Sequence, residues 1–324
     1  MVELISIGIF FILCCEALDL DRVNVAVLLA AYNGIPWLPE QVQSILRQEG
    51  VDVTVFISVD SSTDGTEEWV DDLACRDIRV RVLPHGRHFG GAGKNFFRLI
   101  RETELEQFDY VAFSDQDDLW NKAKLSAAVG IIQATNSDAY SSDVMAFWED
   151  GSKKLIVKSQ QQVRFDFLFE AAGPGCTYVF TKKFMQGLKL RMLSRWDELQ
   201  NVALHDWFCY AYARANGYKW IIDPQPSMLY RQHARNQVGV NRGFKAYKHR
   251  LHQVLDGWWL RQSLLIAGLV TVERSEFVKQ WAGLGRHNLF KLAFRAPQCR
   301  RKRSDQIFFF FLCLLVAVLG FKKR

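Results

Sequence analysis

Short apolar runs alternate with amphipathic stretches through the first third of the chain. Val23 to Ala30 is almost continuously apolar and β-branched, as in a strand covered on both faces. Tyr32-Asn33-Gly34 follows as turn chemistry. Pro39 to Gln48 sets Val42, Ile45 and Leu46 on one helical face, with Gly50 as a stop. Val51 to Val59 predicts a second strand. The Asp64-Gly65-Thr66 turn opens a helix through Leu73, and Ile78 to Leu83 reads as a third strand. Gly93 to Thr103 is helical, and Tyr110 to Ser114 is a fourth strand that ends abruptly in polar residues. This alternation predicts an α/β fold: a Rossmann-like, mostly parallel sheet with helices on both faces. Ligands of such sheets bind beyond the carboxyl ends of the strands, which directs attention to Tyr32 and Asn33, Asp60, His85 and Asp115.

The second half is less regular. Ala171 to Tyr178 is a glycine-proline turn, Ala203 to Ala215 a helix, Tyr230 to Asn236 polar and basic, and Phe244 to Leu269 helical. The chain has 324 residues and a net charge of +6, too small an excess to choose among phosphate, nucleic acid and anionic membrane as partners. Its distribution is more telling. Acids gather at Asp60 to Asp77 and Asp115 to Asp118, bases at Arg295, Arg300 to Arg303 and Lys322 to Arg324. The seven cysteines form no C-x-x-C pair, so neither zinc nor a disulfide framework is indicated and reduced thiols are expected.

The sharpest chemical feature is Ser114-Asp115-Gln116-Asp117-Asp118-Leu119-Trp120. Clustered carboxylates repel unless a cation joins them, and oxygen ligands suit Mg²⁺ or Mn²⁺ shared with substrate phosphates. A solvated acidic loop is the plain alternative; the place at a strand end argues for a ligand. Asp60 is expected to contact ligand, while Asp64 and Thr66 suit helix capping. The same loop partly fits a calcium loop, but a β-run precedes it instead of a helix. Gly86 to Asn95, with Lys94, either receives phosphate or only allows close packing. Asp206, in His205-Asp206-Trp207, is a candidate general base or a helix cap. Arg231 and His233 could face a diphosphate or complete a metal shell, or form a surface basic patch.

From about Val23 to Asn241 the chain resembles bacterial glycosyltransferase family 2, most closely its rhamnosyltransferase-like members. The resemblance is carried by Ala31-Tyr32-Asn33-Gly34, Asp60 with Ser62 to Thr66, Ser114 to Trp120, Gly173-Pro174-Gly175-Cys176, His205-Asp206-Trp207 and Tyr230-Arg231-Gln232-His233 with Asn236. It implies a GT-A fold and an inverting, divalent-metal-dependent transfer from a nucleoside-diphosphate sugar to a lipid-linked or polysaccharide acceptor, with Mg²⁺ or Mn²⁺ as cofactor and no nucleic acid partner. On that reading Asp206 is the catalytic base. Ala31, Tyr32, Asn33, Asp60, Lys94, Asp115, Gln116, Trp120 and Arg231 bind nucleotide or substrate, and Asp115, Asp117 and His233 hold the metal. The sequence departs from the family at Val59-Asp60 and Ser61, where paired acids and a glycine are usual. A sugar-nucleotide-binding protein without turnover, or a calcium-binding protein, is the non-enzymatic alternative.

Residues 1–22 read as an apolar extension, 23–242 as the glycosyltransferase domain (23–125 for the nucleotide sugar, 126–242 for acceptor and catalysis), and 243–324 as a helical region with a basic and apolar tail. Ile307 to Leu319 covers about 20 Å as a helix at ~1.5 Å per residue, short of a ~30 Å hydrocarbon core. Its basic flanks fit an interfacial helix at the cytoplasmic face of a membrane.

Overall fold

The computed structural model describes residues 22–233 and 256–320. Expectations that rest on residues 1–21, on Asn236, on the first part of the predicted helix from Phe244 and on Lys322 to Arg324 lie outside the described residues. The strands are β1 (Asn24–Ala31), β2 (Asp52–Val59), β3 (Val80–Val82), β4 (Tyr110–Ser114), β5 (Leu119–Trp120), β6 (Ala139–Ser142), β7 (Val144–Phe147), β8 (Lys153–Ile156), β9 (Val179–Thr181), β10 (Trp220–Asp223) and β11 (Met228–Arg231). Among the longer helices are α1 (Leu38–Leu46), α2 (Thr66–Arg76), α3 (Ala92–Glu102), α4 (Lys124–Thr135), α5 (Lys182–Ser194), α6 (His205–Ala215), α7 (Trp258–Leu269), α8 (Arg286–Ala293) and α9 (Arg303–Leu319).

Seven strands form one sheet in the order β10-β6-β9-β4-β1-β2-β3. β1 pairs in parallel with β2 and β4, β2 with β3, and β6 with β10, while β9 runs antiparallel between β4 and β6. The sheet is thus mixed, with the expected parallel half. Alternation along β1 explains why it is central. Val25, Val27 and Leu29 bury into one core layer with Val42 and Ile45 of α1. Ala26 and Leu28 bury into the other with Phe96 and Phe97 of α3. β3 is shorter than expected because Ile78, at 91 % exposure, stays outside the sheet.

A second, four-stranded sheet (β5-β11-β7-β8) has no counterpart in the sequence reading. Its strands run two to four residues, and the neighbouring β6 is Ala-Tyr-Ser-Ser, buried without an apolar alternation to betray it. This small sheet carries Arg231 to the acidic loop, since β11 pairs with β5 and β7.

The described part of the C-terminal region packs into the main core. Phe277 stacks on Phe165 at 3.7 Å, and Phe169 lies between Trp259, Trp281 and Phe309. The basic run before α9 is also not all surface. The Arg301 side chain is fully buried, 3.2 Å from Asp166 and 3.7 Å from Glu170, and Asp166 also binds Arg214 at 2.9 Å and the Tyr210 hydroxyl at 2.7 Å. Among the described residues no helix is long and apolar enough to cross a membrane.

Candidate active site

The loops at the carboxyl ends of β1, β2 and β4 are fastened to each other before any ligand is considered. Gln116 meets the backbone of Tyr32 twice, its Oε1 accepting from the Tyr32 N–H at 2.7 Å and its Nε2 donating to the Tyr32 carbonyl at 2.9 Å. Asn33 adopts φ +45° and accepts from the Thr63 N–H at 2.9 Å, and its own N–H donates to Ser62 Oγ at 3.0 Å. Gly34 has a steric reason to be glycine: a Cβ there would lie 2.5 Å from Gln116 Oε1. Asp64 and Thr66, expected to cap α2, tie the loops together instead. Asp64 accepts from the Thr66 N–H and hydroxyl and from the Ile35 N–H, while Thr66 Oγ1 accepts from Gly34 N–H. The N-cap position itself is Gly65.

Asp60 is 4 % exposed and anchors the loop that follows β3. It accepts from the N–H groups of Ser61, Phe89 and Gly90 at 2.9, 2.9 and 3.0 Å, and His88 Nδ1 lies 3.2 Å away. Gly90 and Gly91, at φ +74° and +150°, let the loop wrap this carboxylate, so two of the N–H groups that might have met phosphate are already used. Gly93 allows α3 to touch the segment before α6, because a Cβ there would lie 2.9 Å from the Ala203 carbonyl.

These loops border one cavity of about 1090 Å³, large enough for a nucleotide sugar with room beyond it. Ala31, Tyr32, Asn33, Asp60, Asp115, Gln116, Asp117, Asp206 and His233 all line it. Lys94, Trp120 and Arg231 do not. Lys94 is exposed on the outer side of α3. Trp120 is buried against the Lys124 ammonium at 3.8 Å, and its Nε1 reaches the Gln41 amide oxygen at 3.1 Å in the orientation that satisfies that amide. Arg231 lies behind the acidic loop, where its Nε donates to the Asp117 carbonyl at 2.8 Å and its guanidinium pairs with Glu40 at 2.7 Å. Trp120 and Arg231 reach the site only through other groups, and Lys94 does not reach it.

Asp117 and His233 meet at 2.7 Å, and the His233 ring stacks on Trp37 with centroids 3.9 Å apart. Burial, then the charges of Asp117 and Asp206, push the Asp115 carboxyl above the ordinary range. Carboxylate repulsion thus adds to the larger effect of burial. Asp117 and His233 put a carboxylate and an imidazole at the cavity wall, donor types that suit Mn²⁺ or Mg²⁺. Among the described residues the trio of possible ligands that comes within 4.8 Å of one another is Asp115, Asp118 and the Cys176 thiol, not Asp115 with Asp117 and His233. It fits a cation less well, since burial keeps the Cys176 thiol protonated and a thiol ligand must lose its proton. The buried Lys124 ammonium lies close to this group as well. Asp118 instead takes the Arg231 N–H at 3.1 Å, which positions the loop from below.

Across the cavity Asp206 sits in the first turn of α6, with its Oδ1 accepting from the Trp207 N–H at 2.7 Å. The turn Gly173-Pro174-Gly175 packs on it, and a Cβ on Gly175 would lie 3.2 Å from Asp206 Cβ and 2.8 Å from His205 Nε2. Burial raises the Asp206 carboxyl to about 6, although the Trp207 N–H and the Lys158 charge both oppose the rise. His205 is pushed down to about 3 by burial and lies flat on Phe96 at 4.0 Å, so it is a neutral wall of the cavity. Lys158, Glu170 and Arg300 also line the cavity, and none was singled out in the sequence as a site residue. The first two have no motif around them, and Arg300 is hidden in a run that reads as tail.

Comparison with known proteins agrees with this geometry. Residues 26–183 match the model of the glycosyl transferase family 2. The chain is 42 % identical over 289 residues to dTDP-rhamnosyl transferase RfbG of Shigella flexneri, covering 89 % of this chain and 99 % of that one. A putative teichuronic acid biosynthesis glycosyltransferase, TuaG of Bacillus subtilis, is 34 % identical over 103 residues, 31 % of this chain and 38 % of that one. Among solved structures, S. aureus TarS 1-349 in complex with UDP-GlcNAc superposes with a TM-score of 0.55 at 14 % identity, covering 93 % of both chains. The mannosyltransferase PcManGT from Pyrobaculum calidifontis, in complex with GDP-Man and Mn²⁺, gives 0.51 at 15 % identity, covering 94 % of this chain and 89 % of that one. At these identities the likeness shows the fold alone.

Proposed function

The chain belongs to glycosyltransferase family 2, and on that premise we propose that its cavity transfers rhamnose from dTDP-rhamnose, with inversion, to a hydroxyl of a cell-surface glycan under assembly. The observation that carries the reading is the convergence of Asp206 with the acidic loop on one cavity, close enough that the Asp206 charge is felt at Asp115. The dTDP-rhamnose donor is taken from the name and 42 % identity of the Shigella flexneri relative.

Asp115, Asp117 and His233 would hold a divalent ion, which supplies Lewis-acid stabilisation of the departing diphosphate. The remaining work belongs to the protein's own groups. Tyr32, Asn33 and the Asp60-anchored loop receive the nucleoside. Gln116, pinned to Tyr32, keeps the acidic loop and the nucleoside loop in register. Asp206 accepts the proton of the acceptor hydroxyl as its oxygen bonds to the anomeric carbon and the bond to the nucleoside diphosphate breaks. A carboxyl at about 6 is ionised at neutral pH yet basic enough for this task. Its place in the first turn of a helix favours the anion.

The proposal extends to the cytoplasmic face of a membrane. On α9, Ile307, Phe308, Phe311 and Val318 are exposed, with Phe290 of α8 and Phe294 just after it beside them, while Phe309, Leu312, Cys313 and Val316 bury the opposite face. Such a contiguous apolar patch next to exposed Lys302 and Arg303 suits an anionic bilayer surface.

The test is release of nucleoside diphosphate from a panel of sugar nucleotides with Mn²⁺, Mg²⁺ or EDTA. Metal-dependent release from dTDP-rhamnose above the other donors is expected. Equal release from every donor overturns the rhamnose assignment, and no release from any overturns the enzymatic reading.

A further inference from the structure

We infer that Lys124 is a positioning residue for the acidic loop: its buried ammonium balances Asp118 from beneath and so steadies the stretch that presents Asp115 and Asp117 to the cavity. The inference rests on the proposed function only in taking Asp117 as a metal ligand.

Lys124 occupies a place that disfavours a cation in three ways. It is 1 % exposed, and its Nζ has no hydrogen-bond partner among the described residues. It is also the first residue of α4, at the positive end of the helix dipole, with no acidic residue in that first turn. Burial accordingly pulls the ammonium down to about 8, with Cys176 and Asp118 opposing the fall, so it is still charged at neutral pH. Leucine or methionine would fill the same space without burying a charge, so the charge itself needs an explanation. Two groups supply one. The Trp120 ring takes the Nζ on its face, 3.8 Å from the centroid. Asp118 supplies the opposite charge. Its carboxylate is fully buried, and its Oδ2 likewise has no hydrogen-bond partner among the described residues. The two side chains form no direct hydrogen bond and act on each other through the low-dielectric interior.

The acidic loop depends on both of these groups. Asp118 takes the Arg231 N–H on its Oδ1 at 3.1 Å, and Arg231 Nε in turn holds the Asp117 carbonyl at 2.8 Å. Trp120 ties the far end of the loop to Gln41. Burial, then the charges of Asp117 and Asp115, disfavours the Asp118 carboxylate. A permanent cation beneath it offsets that repulsion and lets the loop keep its shape whether or not an ion is bound in the cavity. Without the cation, repulsion drives Asp118 toward water and draws Asp117, one residue away, out of place.

The experiment titrates Mn²⁺ alone into the full-length enzyme and reads the free ion by electron paramagnetic resonance, in wild type, Lys124→Met, Asp118→Asn and the double variant. Methionine keeps most of the volume of the lysine stem, and asparagine keeps the Oδ1 acceptor for the Arg231 N–H, so each change removes mainly a charge. The expected result is a Mn²⁺ dissociation constant raised at least about tenfold in Lys124→Met and returned to within about threefold of wild type in the double variant. Urea unfolding ranks the double variant above either single one, and circular dichroism establishes the fold of each. A lysine that only repelled the ion would give the reverse, tighter Mn²⁺ binding in Lys124→Met. That result, unchanged binding, or a double variant as weak as Lys124→Met overturns the inference. If Lys124→Met does not fold, recovery of the fold in the double variant supports the inference and its absence overturns it. Wild type that binds no Mn²⁺ counts instead against the metal-site reading. The unfolding order then decides, and a double variant no more stable than Lys124→Met overturns the inference.

Discussion

Replacing Asp206 with asparagine should stabilise the protein while abolishing transfer. Burial lifts this carboxyl from 3.8 to about 6, so the folded state binds its proton more tightly than the unfolded chain does. The sign follows from linkage. Below pH ~4 both states are protonated and the site costs nothing; the penalty grows as pH rises and is complete above about 6. A shift of about two units at ~1.4 kcal/mol each sets an upper bound near 3 kcal/mol at pH 7.5, and about half of that at pH 5. Asp206 is partly open to the cavity, which reduces the expected gain to roughly 1–2 kcal/mol at pH 7.5. Asparagine keeps an oxygen to accept from the Trp207 N–H, so the helix start is not disturbed. The assay is urea unfolding of wild type and Asp206→Asn at both pH values, alongside transfer activity. A stability gain that shrinks toward pH 5, with activity down by at least about a thousandfold, fits a functional carboxylate held at a cost. An Asp206→Asn protein less stable than wild type at pH 7.5, or one that retains activity, would refute the reasoning.

Other consequences are as direct. For the wild type, kcat/KM falls on the acid side with a midpoint near 6 as Asp206 takes up its proton, a profile read with saturating metal. Gly34→Ala displaces Gln116 and costs both of its bonds to Tyr32, about 1–3 kcal/mol in unfolding free energy, with weaker dTDP binding by calorimetry. Arg301→Ala leaves Asp166 and Glu170 short of a partner in the core and lowers stability by about 3–5 kcal/mol, whereas Arg303→Ala, on the surface, is nearly silent by the same measurement. Lys94→Ala changes activity by less than about twofold, since the side chain points away from the cavity. Phe311→Glu with Leu315→Glu abolishes co-sedimentation with vesicles containing anionic lipid, because both face outward on α9.

How far the sequence was legible follows from how each part is held together. β1, β2 and β4 are buried on both faces, so their apolar runs announce them, and the loops after them inherit a predictable place. The antiparallel β9 and the small second sheet escape notice because two to four residues cannot display a period. Asn33, Gln116 and Asp117 lie on loops that follow predicted strands, whereas Asp206 and His233, in the less regular half, were legible only through the motifs His205-Asp206-Trp207 and Tyr230-Arg231-Gln232-His233. Trp120 and Arg231 sit in the same motifs, yet their side chains turn into the support behind the loop, a choice made by tertiary packing against Lys124, Gln41 and Glu40. The basic run at Arg300 to Arg303 mixes two roles that charge alone does not separate. Arg300 and Arg301 meet the acids Asp166 and Glu170 from far away in sequence, while Lys302 and Arg303 face solvent.

The central claim, that this cavity is a metal-assisted site for a nucleoside diphosphate, is tested most directly by calorimetric titration of dTDP into wild type and Asp117→Ala, each with Mn²⁺ and with EDTA. The account predicts that EDTA weakens binding to the wild type by more than about tenfold, a loss of at least ~1.4 kcal/mol, and that Asp117→Ala binds weakly with or without Mn²⁺. Equal affinity in all four titrations would contradict it.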